Sequence, residues 1–189
     1  EQLFVALENL HLMERTLLVI LSDHGHSFGE HGEYAVHGRG YDEVMRMVLL
    51  VRDPRLQPGG RQVHQLVQGL DVMPTILELL GLSIPASAEG RSLLPLLQTG
   101  RDPDREELAV SAARGMRAIR TPEWKLISRG GSPSELYQLA TDPAEQRNVI
   151  TDHPDLVAQL QDRLDALVPP EVAGDVGDEE QWEQERTYW

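Results

Sequence analysis

The feature that most constrains this 189-residue sequence is the apolar run Leu17–Leu21, "LLVIL", cut off sharply by Ser22, Asp23, His24 and Gly25. An unbroken apolar run of strand length predicts a strand buried on both faces of a parallel sheet. A buried helix would need more residues. In open α/β sheets, ligands gather beyond the carboxyl ends of the strands, and Asp23 and His24 stand at that end. Gly25 allows a sharp backbone turn there. A carboxylate and an imidazole held side by side by a rigid strand make half of a metal site. Oxygen donors suit hard cations, and the imidazole extends the range to manganese, iron or zinc. Taken alone, the same four residues read equally well as a polar turn in which Asp23 caps the next element.

The chain that follows, "HSFGEHGEYAVHGRGYDEVM", is rich in glycine and carries His26, His31 and His37. A loop above the carboxyl end of a strand is where substrate-contacting groups belong. Asp42 and Glu43 open an apolar helical pattern and complement its dipole. The histidines lack the regular spacing of a zinc module. With no cysteine in the sequence, disulfides, thiolate zinc sites and a cysteine nucleophile within it are excluded. The net charge of −14 argues against nucleic acid or an anionic membrane as partner, because counterion release needs Lys and Arg. No apolar run approaches membrane-span length, and no basic-then-apolar start reads as a signal peptide.

Taken together, "SDHG", "GEHG", His37-Gly38, "YDE" and "RMVLLV" resemble the second half of the sulfatase family, in the alkaline-phosphatase-like superfamily that includes phosphonate monoester hydrolases. Val48 stands where that family usually has proline. The resemblance continues through "GLDVMPTILELLGLSIP", "GRSLLPLL", "RAIRTPEWKLI" and "ELYQLATDPAEQRNV", in the family's order, from Glu1 to Leu167. It implies an α/β fold, the C-terminal part of an alkaline-phosphatase-like α/β sandwich with a small antiparallel-sheet plus helix C-terminal subdomain.

The same resemblance gives Asp23 and His24 the role of divalent-metal ligands, with calcium or manganese as the ion. His37 stands where the family has a lysine touching the charged ester oxygens, and an imidazolium there could donate to a sulfate or phosphate oxygen or protonate the leaving group. His31 reads as a loop histidine hydrogen-bonded to backbone, and His26 as a surface residue. The family's paired aspartates and its Cys/Ser-x-Pro-x-Arg nucleophile are not found in this sequence; "SIPAS" at Ser83–Ser87 lacks the arginine. The chain is therefore expected to be the C-terminal portion of a metal-dependent sulfuric ester hydrolase, carrying half the metal site and inactive alone. The substrate would be a sulfate or phosphate ester small molecule. The alternatives are a phosphonate or phosphate ester hydrolase of the same superfamily, or a non-catalytic assembly module.

The rest reads as architecture. Residues 1–100 are expected to form the α/β part, 101–170 a small antiparallel sheet with a closing helix, and 171–189 an acidic tail. Leu3, Phe4, Leu7 and Leu10 have helical spacing from the first residues, which suggests a chain that starts inside an element. In "GLDVMPTILELLG", Asp71 is a plausible N-cap, Pro74 lies in the first turn and Gly81 just past the end. Strands are expected at 108–113, 116–120, 124–128 and 135–139, divided by turn signals. Leu156, Leu160, Leu164 and Leu167 mark a helix with one face on that sheet. Arg114, Arg117 and Arg120 could form an anion-binding row, but read rather as the solvated face of an edge strand. An exposed sheet edge, or Trp182, Tyr188 and Trp189 of the tail, would serve a homo-oligomer.

Overall fold

The structure, a computed structural model, describes residues 2–32, 34, 39–56, 59–113 and 115–170. Contacts divide the chain into two units, residues 1–24 with 47–106, and residues 25–46 with those from 107 onward. The packing thus joins the segment 25–46 to the C-terminal sheet, although the sequence places it directly after the apolar run Leu17–Leu21.

In the first unit, helix α1 (Gln2–Asn9) precedes strand β1 (Leu18–Leu21), which pairs antiparallel with β2 (Leu49–Arg52). The expected strand is present, but its expected setting is not. In this chain β1 has β2 as its partner and is half exposed, with Leu21 and Leu50 at 48% and 59%. Burial on two faces must come from neighbours, and an apolar run cannot supply them by itself. In α1, Leu3, Phe4 and Val5 are likewise exposed. Helix α3 (Val72–Leu79) buries Leu79, and helix α4 (Leu94–Thr99) buries Leu96, with Leu93 buried just ahead of it. Gly81 (φ 70°) and Gly100 (φ 85°) end these helices in the left-handed region, as glycine permits.

Asp71 does not cap α3 with its side chain. It accepts the N–H of Gln68 at 2.8 Å, the N–H of Arg91 at 2.8 Å and Arg105 Nη1 at 2.8 Å. Buried beside three donors, the carboxylate is better satisfied as a staple between loops than as a cap.

The second unit is built on an antiparallel meander of β3 (Ala109–Ala113), β4 (Met116–Arg120), β5 (Trp124–Arg129) and β6 (Ser132–Gln138), in that spatial order. Ile119 lies opposite Leu126, and Leu126 opposite Leu136. Helix α5 (Pro154–Leu167) packs Val157, Leu160 and Leu164 onto this face, each buried leucine contributing about 1.5–3 kcal/mol. The other face carries Met116, Ala118, Ile127 and Tyr137, and is covered by Tyr41 and by Met45 of the short helix α2 (Asp42–Met45).

Covering both faces changes the reading of the arginines. β4 is an inner strand, not an edge, and Arg117 is almost wholly buried. Its Nη1 donates to Asp165 Oδ1 and to the carbonyl of Val168, each at 2.6 Å. The two Nη1 bonds and the Asp165 carboxylate offset part of the cost of bringing the guanidinium into the sheet–helix interface, where Nη2 stays without a hydrogen-bond partner. Arg114 and the tail from 171 onward lie outside the described residues.

Candidate functional site

Ser22 fixes the end of β1. Its N–H donates to the carbonyl of Val48 at 3.1 Å, and its Oγ accepts the N–H of Val48 at 2.9 Å. This double link holds the following residues at the mouth of the strand pair. The Asp23 carboxylate accepts the N–H of His24 at 2.9 Å through Oδ1, while His24 Nε2 lies 3.7 Å from Oδ2. Both side chains are open, at 88% for Asp23 and 41% for His24. The structure therefore brings the two sequence-predicted ligands together as an exposed oxygen-nitrogen pair. Their chemistry fits a divalent cation, but two protein donors fall short of the usual coordination number. Among the described residues, no group of three or more His, Asp or Glu gathers around a common point.

Gly25 has a different role from the one expected. Its φ is not in the left-handed region. A Cβ there would stand 2.1 Å from the carbonyl oxygen of Glu43, and its N–H donates to the carbonyl of Val44 at 2.7 Å. The glycine is needed for close backbone approach rather than for a tight turn. His26 is half-buried, with its ring 5.2 Å from that of Phe28. His37 lies outside the described residues.

A second cluster was not singled out by the sequence. Period two along β4, β5 and β6 places Arg120, Lys125 and Tyr137 side by side on the α2 face, with Arg120 opposite Lys125 and Lys125 opposite Tyr137. Two cations opposed across strands repel, and Asp42 at the start of α2 answers both. Its Oδ1 accepts Lys125 Nζ at 2.7 Å, and Arg120 Nη2 lies 3.2 Å from Oδ2. Glu145 completes the set, with Oε1 2.8 Å from Lys125 Nζ and Oε2 accepting the N–H of Asp42 at 2.6 Å.

Burial would raise the Asp42 pKa, but Lys125 and Arg120 outweigh it and hold the carboxyl below its ordinary value. For Glu145 burial prevails over Lys125, and the pKa is pushed up. Lys125 between Trp124 and Leu126 was a usable signal, since a lysine facing the interior of a central strand requires a carboxylate.

Beside this cluster the ring of His31 stacks on Tyr41 at 3.7 Å. Tyr41 and Tyr137 both donate to Glu135 Oε2, at 2.8 and 2.6 Å. Burial first, and then the Glu135 carboxylate, raise both phenol pKa values. The charged side chains of this network pair with one another, and among the described residues the Asp23–His24 pair is the exposed candidate site.

A family model described as N-sulphoglucosamine sulphohydrolase, C-terminal, matches residues 29–169. Arylsulfatase K of Mus musculus is 28% identical over 191 residues, covering 93% of this chain and 34% of that protein. The Gallus gallus arylsulfatase K is 30% identical, with 93% and 35% covered. The chain thus spans about a third of the length of these curated relatives. Among solved structures, a protein in complex with its substrate D-glucosamine-2-N,6-O-disulfate matches with a TM-score of 0.79 and 26% identity, over 94% of this chain and 39% of that one. The phosphonate monoester hydrolase of Agrobacterium radiobacter matches with a TM-score of 0.77 and 27% identity, over 88% and 37%. Among the described residues, no helix is long and apolar enough to cross a membrane.

Proposed function

Since this chain belongs to the family of N-sulphoglucosamine sulphohydrolase C-terminal domains, we propose that it supplies one side of the active centre of a metal-dependent sulfuric ester hydrolase. The fold corresponds to the C-terminal part of the sulfatase-type α/β sandwich, with its small antiparallel sheet and helix. The observation that carries the proposal is the exposed Asp23–His24 pair, fixed by Ser22 at the carboxyl end of β1.

In this reading the Asp23 carboxylate and the His24 imidazole are two ligands of a calcium or manganese ion. The ion, when bound, draws charge from the non-bridging oxygens of the ester. His24 must be neutral to ligate. His37 donates to the anionic group of the ester, or protonates the departing alcohol. The nucleophile and the remaining ligands would come from sequence beyond this chain, so the chain alone would leave sulfate esters intact. The substrate class is a sulfate ester of a small molecule. The disulfated glucosamine of the solved relative makes a sulfated sugar the first compound to try.

The test uses the chain joined to the N-terminal part that its longer relatives possess. Asp23→Ala and His24→Ala are expected to lower the bound calcium or manganese measured by elemental analysis. Sulfate release from an aryl sulfate should fall at least tenfold with either change. Unchanged metal content in both variants would remove the ligand assignment. Faster turnover of a phenyl phosphonate than of the aryl sulfate would move the activity to the phosphonate hydrolases, which the likeness to the Agrobacterium enzyme makes the second reading.

A further inference from the structure

His31 lies in a turn closed by the N–H of Gly32 donating to the carbonyl of Gly29 at 3.0 Å, with both glycines in the left-handed region. The side chain leaves this turn and reaches two distant places in the sequence. Nδ1 is 2.7 Å from Glu43 Oε1 on α2, and Nε2 is 3.0 Å from the backbone carbonyl of Glu145. A neutral imidazole carries one N–H, so either tautomer leaves one nitrogen lone pair facing an oxygen lone pair. The doubly protonated ring satisfies both. One face of the ring also stacks on the electron-rich face of Tyr41, with the rings inclined by only 2°, an arrangement that favours a cation.

The other groups around the ring permit the same charge. Glu145 directs its carboxylate at Lys125 and at the N–H of Asp42. Glu30, on the turn itself, holds the N–H of Phe28 at 2.7 Å. The Gln146 amide nitrogen is 3.5 Å from Nε2 and donates to the carbonyl of Ala144 at 2.9 Å, so the Glu145 carbonyl is the closer partner of Nε2. Among the described residues, the cations Arg129 and Lys125 are both paired with carboxylates: Arg129, 5.9 Å from the Tyr41 centroid, with Glu135, and Lys125 with Asp42 and Glu145.

We infer that His31 is held as an imidazolium and acts as a proton-dependent pin, fastening the Gly29–Gly32 turn to α2 and to the turn at Glu145. This goes beyond the functional reading and does not depend on it. It gives the histidine-rich segment a positioning residue whose grip is set by pH. Burial pulls the His31 pKa down, but the Glu145 carbonyl and the Glu43 carboxylate outweigh it, and the net direction is upward. A raised histidine pKa adds stability that is fully present below the unfolded value and lost as pH rises through the folded one.

The experiment is a pH titration of the histidine ring nitrogens by long-range 1H–15N correlation in the 189-residue chain, with His31→Gln identifying the His31 signals. Both His31 nitrogens are expected to read as protonated at neutral pH. Glu43→Gln should lower the midpoint, and it tests the pin even if His31→Gln does not fold. Hydrogen exchange at the Gly29–Gly32 amides, corrected for intrinsic rates, should speed up as pH passes the midpoint. In His31→Gln it should be fast throughout. A single neutral tautomer at neutral pH, with the proton on Glu43 or elsewhere, would overturn the inference. A midpoint unmoved by Glu43→Gln would overturn it equally.

Discussion

The two charged clusters of this chain use the same residue types in opposite settings. Asp23 and His24 stand 88% and 41% exposed at the end of a strand pair, while Asp42, Lys125 and Glu145 keep side chains only 11%, 2% and 1% exposed beneath a sheet. The open pair presents an oxygen and a nitrogen donor at the surface. In the closed set every carboxylate answers a cation or an N–H, and the cluster serves as a joint between α2, the sheet and the turn at Glu145. What separates the exposed pair from the structural set here is not residue type but how deeply each group is buried.

Removing Lys125 breaks that comparison most severely. Lys125→Met leaves two buried carboxylates facing each other and should cost about 3–5 kcal/mol, read as the shift in the urea unfolding midpoint of the whole chain. Adding Glu145→Gln to it should recover part of the loss. Full-strength stability in the single variant would mean that the cluster is open to water after all.

Gly25→Ala should cost about 1–3 kcal/mol by forcing a methyl against the Glu43 carbonyl. The same unfolding measurement checks it, and a neutral result would show that the backbone can move apart cheaply.

The acid limb of stability gives a smaller and signed effect. Asp42 has a lowered pKa, so its contribution is present above the unfolded carboxylate value and fades as pH falls through the folded one. Glu145 is raised and works the other way, its contribution fading as pH rises. Across the carboxylate range, about pH 2 to 6, urea midpoints should therefore decline less in Asp42→Asn than in the parent chain, and more steeply in Glu145→Gln. Identical acid limbs in all three proteins would contradict the assignment.

The smallest stability effect belongs to the open pair. Asp23→Ala and His24→Ala should each stay within about 0.5 kcal/mol of the parent, even though both are expected to lose metal in the longer protein. A large loss of stability without metal would make the pair structural and erase the contrast between the clusters.

How much of this was legible beforehand differs between the two units. The meander and its closing helix were readable because their signals are local. Turn residues such as Gly115 and Gly130-Gly131 separate the strands, and the leucines of α5 repeat at helical spacing. The position of Asp23 and His24 after an apolar strand was equally plain. The setting of β1 was not, since its partner is an antiparallel strand whose pairing starts 28 residues after β1 ends, with Leu21 opposite Leu49. Asp71 was placed correctly at the start of α3 but given the wrong task, because Arg91 and Arg105 reach it from remote loops.

The sequence by itself determined which segments become strands and helices, where the glycines must lie, and which adjacent carboxylate and imidazole stand at a strand end. Those properties depend on neighbours a few residues apart. Only the tertiary structure decided that Arg117 is buried, that Lys125 shares Asp42 with Arg120, and that His31 meets acceptors at both ring nitrogens. Each of these depends on groups brought together from 12 to 114 positions away. Charge at such a site follows from the partners that folding supplies, and no local pattern encodes them.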